Sequence, residues 1–200
     1  SEPPHRQAVP LAAITDNLTV TNNIDIFRQE FLGANTWAQR KDGVPLDLLD
    51  KLSPDELKMA ESDLINSASL NDTWPILGLG HIKSTQSLST LYTLLDTSKK
   101  GFKVTIAYSI FQICQDQKMI NIVLDELPKI INQYELIDVI YMLPVFKDNR
   151  ITGLLNDYRN HKEYLVAYNA TRALGLSIDE VVKKARQRNK RKSFWNKLFG

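Results

Sequence analysis

"KVTIAYSIFQICQDQKMINIVLDEL", residues 103–127, is the stretch that decides the fold. It consists of two apolar segments at helical spacing, joined by the polar break "QDQK". Apolar residues that recur every three or four positions are typical of amphipathic helices, so this stretch predicts an antiparallel helix pair. Nothing between the two segments has the pattern of a reactive site.

The same arrangement recurs along the chain from residue 71 onward. The last apolar residues of the first segments, Ile82, Ile113, Leu143 and Leu174, are 31, 30 and 31 positions apart. A polar break and a second apolar segment follow each of them. One helix pair cannot cover its own apolar face, whereas stacked pairs cover each other. The period therefore predicts an all-α fold, an α-solenoid of about four stacked antiparallel helix pairs with an N-terminal helical extension. A helical bundle without repeats is the alternative.

Helix start signals refine this prediction. Ser53 followed by Pro54 and by Glu56 three positions after the serine is the strongest start in the chain. Asn23 is the expected cap of a short helix that precedes Gly33, and residues 34–45 are expected to form a loop before a short helical segment at 46–52. The predicted N-caps of the later second helices are Asp116, Asp148 and Ser177.

The chain is thus expected to have four regions. They are an extended or disordered arm at 1–23, N-terminal helices at 24–70, the repeats at 71–182 and a basic amphipathic tail at 183–200. Eight of the 25 basic residues and none of the 23 acidic ones lie from Lys183 onward, so residues 1–182 carry a net charge of −6. The overall charge of +2 therefore conceals an acidic body and a basic tail.

The segment "YLVAYNATRALGLS", residues 164–177, resembles the first helix of a bacterial HEAT-like repeat, with its V-x-x-x-A-x-x-A-L core. "KVTIAYSIFQI" and "WPILGLGHI" resemble it less closely. Two features depart from the family pattern: the Arg that often follows the Val is Thr105 or Ala167 here, and Pro144 is expected to end the third unit's first helix early. The resemblance implies protein binding through a curved face. The segment "GLG" at 78–80 lacks the preceding strand and the Lys-Ser/Thr of a phosphate-binding loop, so we expect it to serve close helix packing.

A solenoid normally binds its partner with the second helices of its units. The residues predicted to bind a partner there are Tyr92, Asn121, Asp125, Asp157 and Tyr158. The acidic body favours a basic protein or peptide partner, as for an adaptor or an immunity protein that caps a basic toxin. It also argues against nucleic acid, because phosphates would be repelled.

The tail supports an alternative function, that of a membrane-peripheral assembly factor. Phe194, Trp195, Leu198 and Phe199 share one side of a helix, with Lys197 beside them. A basic amphipathic helix of this kind lies on an anionic membrane surface or docks in a groove of a partner. Eight residues of such a helix would bind a membrane only weakly.

Signals of catalysis are missing from the sequence. His5, His81 and His161 share no metal-ligand spacing, no nucleophile motif occurs, and the adjacent acidic pairs do not face each other on a helix. We therefore expect a protein with no catalytic site, cofactor or metal. An enzyme would need a pocket of converging polar groups, such as His81 with Tyr108 and Tyr141.

The cysteine content and the hydropathy of the sequence indicate the cellular compartment of the protein. Cys114, the single cysteine, lies among apolar residues and is expected to be buried and inert. No run of about 18 apolar residues occurs, and the first residues lack a signal-peptide pattern. These features predict a cytoplasmic protein.

Overall fold

A computed structural model describes residues 22–188, which form helices and no β-strand. The all-α prediction is therefore confirmed for this part of the chain. The helices are α1 (Asn23–Phe27), α2 (Trp37–Arg40), α3 (Asp47–Asp50), α4 (Pro54–Ser67), α5 (Thr73–His81), α6 (Leu88–Thr97), α7 (Lys100–Cys114), α8 (Lys118–Glu126), α9 (Gln133–Ile140), α10 (Asn149–Tyr158), α11 (Tyr164–Ala173) and α12, residues 179–188. A π-helical turn at Arg28–Leu32 and 3₁₀ turns at Thr85–Ser87, Leu127–Lys129 and Leu143–Phe146 complete them.

The capping box at the start of α4 is confirmed. The Ser53 side chain accepts the Glu56 N–H, and the Glu56 carboxylate accepts the Ser53 N–H at 2.9 Å. Two other N-terminal predictions are wrong. The cap of α1 is Asn22, since Asn23 instead donates to the Lys51 carbonyl. The predicted loop at 34–45 contains α2, which a second capping box, Thr36 with Gln39, stabilises.

Helices are present at the positions predicted for all four pairs, namely α5 and α6, α7 and α8, α9 and α10, and α11 and α12. Asp148 caps α10 as predicted. Asp116 and Ser177 each accept the N–H two residues on, at the first residues of α8 and α12. The first helix of the third pair ends at Ile140 and is followed by the 3₁₀ turn that contains Pro144.

A residue with left-handed backbone lies between the two helices of each of the four pairs. These residues are Lys83, Gln115, Lys147 and Gly175, with φ of 54°, 55°, 50° and 68°. A left-handed residue after the last turn is a common way to end a helix and turn the chain. Only the fourth of these residues is glycine, the residue that adopts this conformation at no steric cost.

Replacing Lys147 with glycine is expected to raise the free energy of unfolding by about 0.5–1 kcal/mol, because glycine avoids the steric cost of positive φ. The opposite change, Gly175→Ala, is expected to lower it by a similar amount. Urea unfolding of both variants measures the two effects. A Lys147→Gly variant no more stable than the parent would contradict the expectation.

The main contacts of α5–α11 join helices of the same pair or of adjacent pairs. The first helices pack in a row, α5 against α7, α7 against α9 and α9 against α11. Among the second helices, α8 contacts α10. The helices α1, α3 and α4 pack together at the N-terminal end, where α4 contacts α5.

Glycines allow α5 and α7 to approach closely, as predicted for "GLG". A Cβ atom on Gly80 would lie 2.9 Å from the Cα of Ser109, in the backbone of α7. A Cβ on Gly78 would lie 2.9 Å from the Leu64 side chain on α4. Distances this short are incompatible with a side chain unless the neighbour moves. The crossing of the first two units therefore depends on Gly80.

Cys114 is exposed, so the prediction of a buried thiol is wrong. The residue is the last of α7 and precedes the left-handed Gln115, where the helix leaves the core. Its thiol donates to the Ile110 carbonyl at 3.3 Å. The apolar pattern around Cys114 belongs to neighbours such as Ile110 and Phe111, which are buried.

Candidate functional site

The five residues predicted to bind a partner all lie on second helices. Tyr92 is on α6, Asn121 and Asp125 are on α8, and Asp157 and Tyr158 are on α10. The predicted docking residues of the tail, Phe194, Trp195, Lys197, Leu198 and Phe199, lie outside the described residues. Most of the five residues on the second helices form hydrogen bonds or ion pairs within the chain, so few of their polar groups are free to bind another molecule.

Tyr92 connects the first pair to the second. Its hydroxyl donates to the Asp116 carboxylate at 2.8 Å, across the turn between α7 and α8. Burial and the negative charge of Asp116 raise the pKa of Tyr92. The Lys118 N–H and the Tyr92 hydroxyl lower the pKa of Asp116. The phenol therefore acts as a fixed donor to an ionised carboxylate.

Residues of α8 are linked to α10 and to the turn that follows α8. The Asn121 side chain accepts a hydrogen bond from Arg150 at 3.1 Å. Arg150 also pairs with Asp148 at 2.9 Å, and its hydrogen bond lowers the pKa of that carboxyl. Asp125 pairs with Lys129 at 2.7 Å. These contacts hold neighbouring elements together at the exposed surface.

Tyr158 and Asp157 differ in their surroundings. Tyr158 is half-buried, its hydroxyl lies 3.5 Å from the Leu127 carbonyl, and burial raises the pKa of the phenol. Asp157 is exposed, and its side chain makes no hydrogen bond within residues 22–188. Of the five predicted residues, Asp157 is thus the one whose side chain is uncommitted in the described part of the chain.

A cleft of about 470 Å³ opens on the side of the first helices, which the sequence analysis did not single out. Its walls come from α5, α7, α9 and the turn at 40–44. Its lining includes Arg40, Val44, Trp74, Leu77, Phe102, Thr105, Glu135, Asp138, Val139 and Met142. Apolar walls with a few polar groups are typical of clefts that bind ligands or side chains of a partner.

The start of α7 fixes the acidic wall of this cleft. The Gly101 N–H donates to the Glu135 carboxylate at 2.9 Å, which joins the second and third pairs. A Cβ on Gly101 would lie 2.7 Å from the Cγ of Glu135, so a side chain there would push Glu135 away. The absence of a side chain at this position lets α9 approach the start of α7.

Asp138 lies one turn after Glu135 on α9 and is the uncommitted charge of the cleft. Its carboxylate makes no hydrogen bond or ion pair within the described residues. Asp138 is partly exposed to solvent. Partial burial of its carboxyl nevertheless raises the pKa, and the negative charge of Glu135 raises it further. A cation placed here would lower that pKa again and stabilise the charged form.

Thr105 is a second polar group without a partner. It lines the cleft from α7, and only 2% of its surface is exposed. Its hydroxyl makes no hydrogen bond within residues 22–188. The Thr105 oxygen is not one of the fully buried unpartnered atoms of the described residues, so it remains accessible from the cleft to a ligand that hydrogen-bonds to it.

The lining of the cleft also includes a cation, Arg40, whose bonds are already made. The Arg40 guanidinium lies 4.2 Å from the centre of the Trp74 ring and pairs with Asp72. Its Nε donates to the Ala34 carbonyl at 2.8 Å. The cleft therefore contains a cation that already has partners, Arg40, and a carboxylate that has none within the described residues, Asp138.

A repeat register connects the residues of this cleft. Trp74, Thr105 and Glu135 each lie eight positions before the last apolar residue of their predicted first segment, namely Ile82, Ile113 and Leu143. Three equivalent positions of successive units therefore meet at one place. This register is the signal by which the sequence could have indicated the cleft.

The polar residues proposed for an enzyme pocket have separate partners. His81 bonds to Asp50 at 2.8 Å, Tyr108 accepts from Gln112, and Tyr141 donates to Asn169. Within the part of the chain that the structure describes, no group of His, Cys, Asp and Glu could hold a metal ion. No described helix is both long enough and apolar enough to span a bilayer.

Comparison with known proteins identifies no relative. No protein-family model, curated protein or solved structure matches the chain. The functional argument therefore depends on the surfaces described above.

Proposed function

We propose that this protein is a non-catalytic, protein-binding scaffold built as a HEAT-like α-solenoid of four helix pairs. Two features of the fold support the solenoid. The main contacts of α5–α11 run within a pair or between neighbouring pairs, and a left-handed residue lies between the two helices of each pair. In a stack of repeats, each unit contacts its neighbours and repeats their geometry.

The unpaired Asp138 carboxylate, beside Glu135 in a cleft with several apolar walls, is the observation that carries the binding proposal. A partner supplies the missing counter-charge by inserting a lysine or arginine side chain. The charged end of that side chain pairs with Asp138 and Glu135 and donates to the Thr105 hydroxyl. Its aliphatic stem packs on the apolar walls, as the stems of long basic side chains do on protein surfaces.

The charge of the body supports a basic partner. Residues 1–182 carry a net charge of −6, which attracts a positively charged protein and speeds its association. An immunity protein that caps a basic toxin, or an adaptor for a basic protein, has these properties. A chain with one cysteine suits the reducing cytoplasm, where we place this activity.

Asp138→Asn is expected to weaken the binding of an arginine-containing peptide about tenfold, because one charge-assisted hydrogen bond is worth about 1.5–3 kcal/mol. Asp157→Asn is the matched control, since it removes the same charge from the exposed face of α10. The measurement is a titration of each variant with basic and acidic peptides of equal length, followed by NMR.

The location of the NMR shifts is part of this test. For the parent chain, the basic peptide is expected to shift the amide signals of Thr105 and Asp138, and the acidic peptide is expected to leave them unchanged. Shifts on the second helices alone, or equal weakening by the two variants, would count against the cleft and would favour the face that carries Tyr92 and Asp157.

The alternative function is a membrane-peripheral assembly factor tethered by the tail. Its support is the basic and aromatic pattern of "SFWNKLFG" in the sequence. The cations of α12, the helix that leads into this segment, lie on the same end of the chain. Membrane attachment through the tail is compatible with a partner in the cleft, because the cleft is formed by α5, α7 and α9.

A further inference from the structure

A second and larger cleft, of about 740 Å³, lies near the C-terminal end of the described chain. It is formed by the end of α10, the loop at 159–163, the start of α11 and the length of α12. Its floor is apolar and includes Ala167 and Val181, which are both buried. This cleft shares no lining residue with the acidic cleft.

Basic side chains from three segments line this cleft. They are Arg159, Lys162, Lys184, Arg186 and Arg188, with His161 beside them. Glu163 is the single acidic residue of the lining. None of the five permanent cations forms an ion pair within residues 22–188. The cleft thus concentrates positive charge that the described chain does not neutralise.

The contacts that hold these cations in place are made to neutral groups. Arg188 donates to the Lys162 carbonyl at 3.0 Å, and Lys184 lies 3.5 Å from the Asn160 side-chain oxygen. Arg159 donates to Asn156 at 3.3 Å, while its Nε is buried without a hydrogen-bond partner. Like charges held close together repel each other, and a bound anion removes that repulsion.

The start of α11 faces the same cleft. Glu163 precedes this ten-residue helix, and its side chain does not cap it. Glu163, Tyr164 and Ala167 are all in the lining. The first N–H groups of a helix attract anions, and phosphate in particular, because their partial positive charges point at the ligand.

We propose that this basic cleft binds a phosphate-bearing ligand. Arginine guanidinium groups bind phosphate through paired N–H donors, and three arginines reach this cleft. The number of cations exceeds what one carboxylate needs and suits a group with two or more negative charges. The volume is in the range of small-molecule sites. The phosphate belongs either to a soluble molecule or to a lipid headgroup, and the experiment separates these sources.

The test uses the full chain and the double variant Lys162→Gln/Arg186→Gln. Both side chains are exposed and make no hydrogen bond within the described residues, so the variant is expected to fold. Lys41→Gln/Lys118→Gln is the control, because it removes two exposed cations from other surfaces. The first probe is pyrophosphate, followed by calorimetry and by the NMR signals of residues 159–166.

Pyrophosphate is expected to bind the parent and to shift these signals, and the double variant is expected to bind about tenfold more weakly or worse. The control is expected to stay within about twofold of the parent, since exposed charges at a distance are screened. No binding by the parent, or equal losses in the two variants, would overturn the proposal.

Vesicles distinguish the source of the phosphate. Phosphatidylcholine vesicles with and without phosphatidylinositol phosphate are sedimented with each protein. Sedimentation that needs the phosphorylated lipid and is lost in Lys162→Gln/Arg186→Gln assigns the site to a headgroup. Pyrophosphate binding without such sedimentation assigns it to a soluble ligand. Binding of a DNA duplex with no response to pyrophosphate would overturn the proposal in favour of a nucleic-acid surface.

Discussion

Ala107→Asp is expected to lower the free energy of unfolding by at least about 3 kcal/mol, because it buries a charge that has no partner. Ala107 lies in the middle of α7 and has no exposed surface. Helices on several sides contact α7, so the carboxylate cannot reach water without separating them. Ala38→Asp is the control, since Ala38 is exposed on α2. Thermal unfolding followed by circular dichroism measures both variants.

Ala170→Asp tests the arrangement of the units as well as burial. Ala170 is also fully buried, but it lies on α11, near the C-terminal end of the row of first helices. In a stack whose units contact only their neighbours, damage at one end is local. Hydrogen exchange is therefore expected to show lost protection in α10 and α11, while α5 keeps its protection. Equal loss in all helices would indicate one shared core and would contradict the solenoid.

The helices could be predicted from the sequence because their signals are local. Apolar periodicity and the capping box at Ser53 depend on residues that are close in the chain, and both agree with the structure. The wrong predictions concern residues whose environment depends on the tertiary structure or whose segment is too short to show a pattern. Cys114 has the pattern of a core residue but sits at a helix end, and α2 is too short to show a period.

The acidic cleft was missed because no single segment contains it. Thr105 and Asp138 come from different pairs, and each has an ordinary alternative explanation in its own helix. Only the packing of α5, α7 and α9 in a row brings them to one cleft. The polar residues predicted on the second helices are real surface residues, yet most of their bonds connect one pair to the next.

Glu126 joins two elements at the start of α7. Its carboxylate accepts the Lys100 N–H at 2.9 Å and pairs with Lys129 at 3.0 Å. Lys100 has left-handed backbone with φ of 54°, and no side chain of Lys99 caps the helix. Burial alone would raise the pKa of Glu126, but the Lys100 N–H and the Lys129 charge outweigh it, so the pKa lies below its ordinary value of 4.5.

Glu126→Gln is expected to lower the free energy of unfolding by about 1–2 kcal/mol at neutral pH, because a charge-assisted hydrogen bond at a strained helix start is lost. A lowered pKa means that the ionised form stabilises the folded state. This contribution is fully present above pH 4.5 and disappears as the pH falls through the lower pKa of the folded protein. The difference between the parent and Glu126→Gln should therefore shrink in acid.

Asp125→Asn provides the matched control for this pH dependence. Asp125 pairs with the same Lys129, but 71% of its side chain is exposed compared with 10% for Glu126. Exposed ion pairs contribute little to stability, so we expect this variant to stay within about 0.5 kcal/mol of the parent. Urea unfolding across a pH series compares the three proteins. Equal effects of the two substitutions, or a Glu126→Gln effect that is constant with pH, would show that Glu126 does not act through its charge at the start of α7.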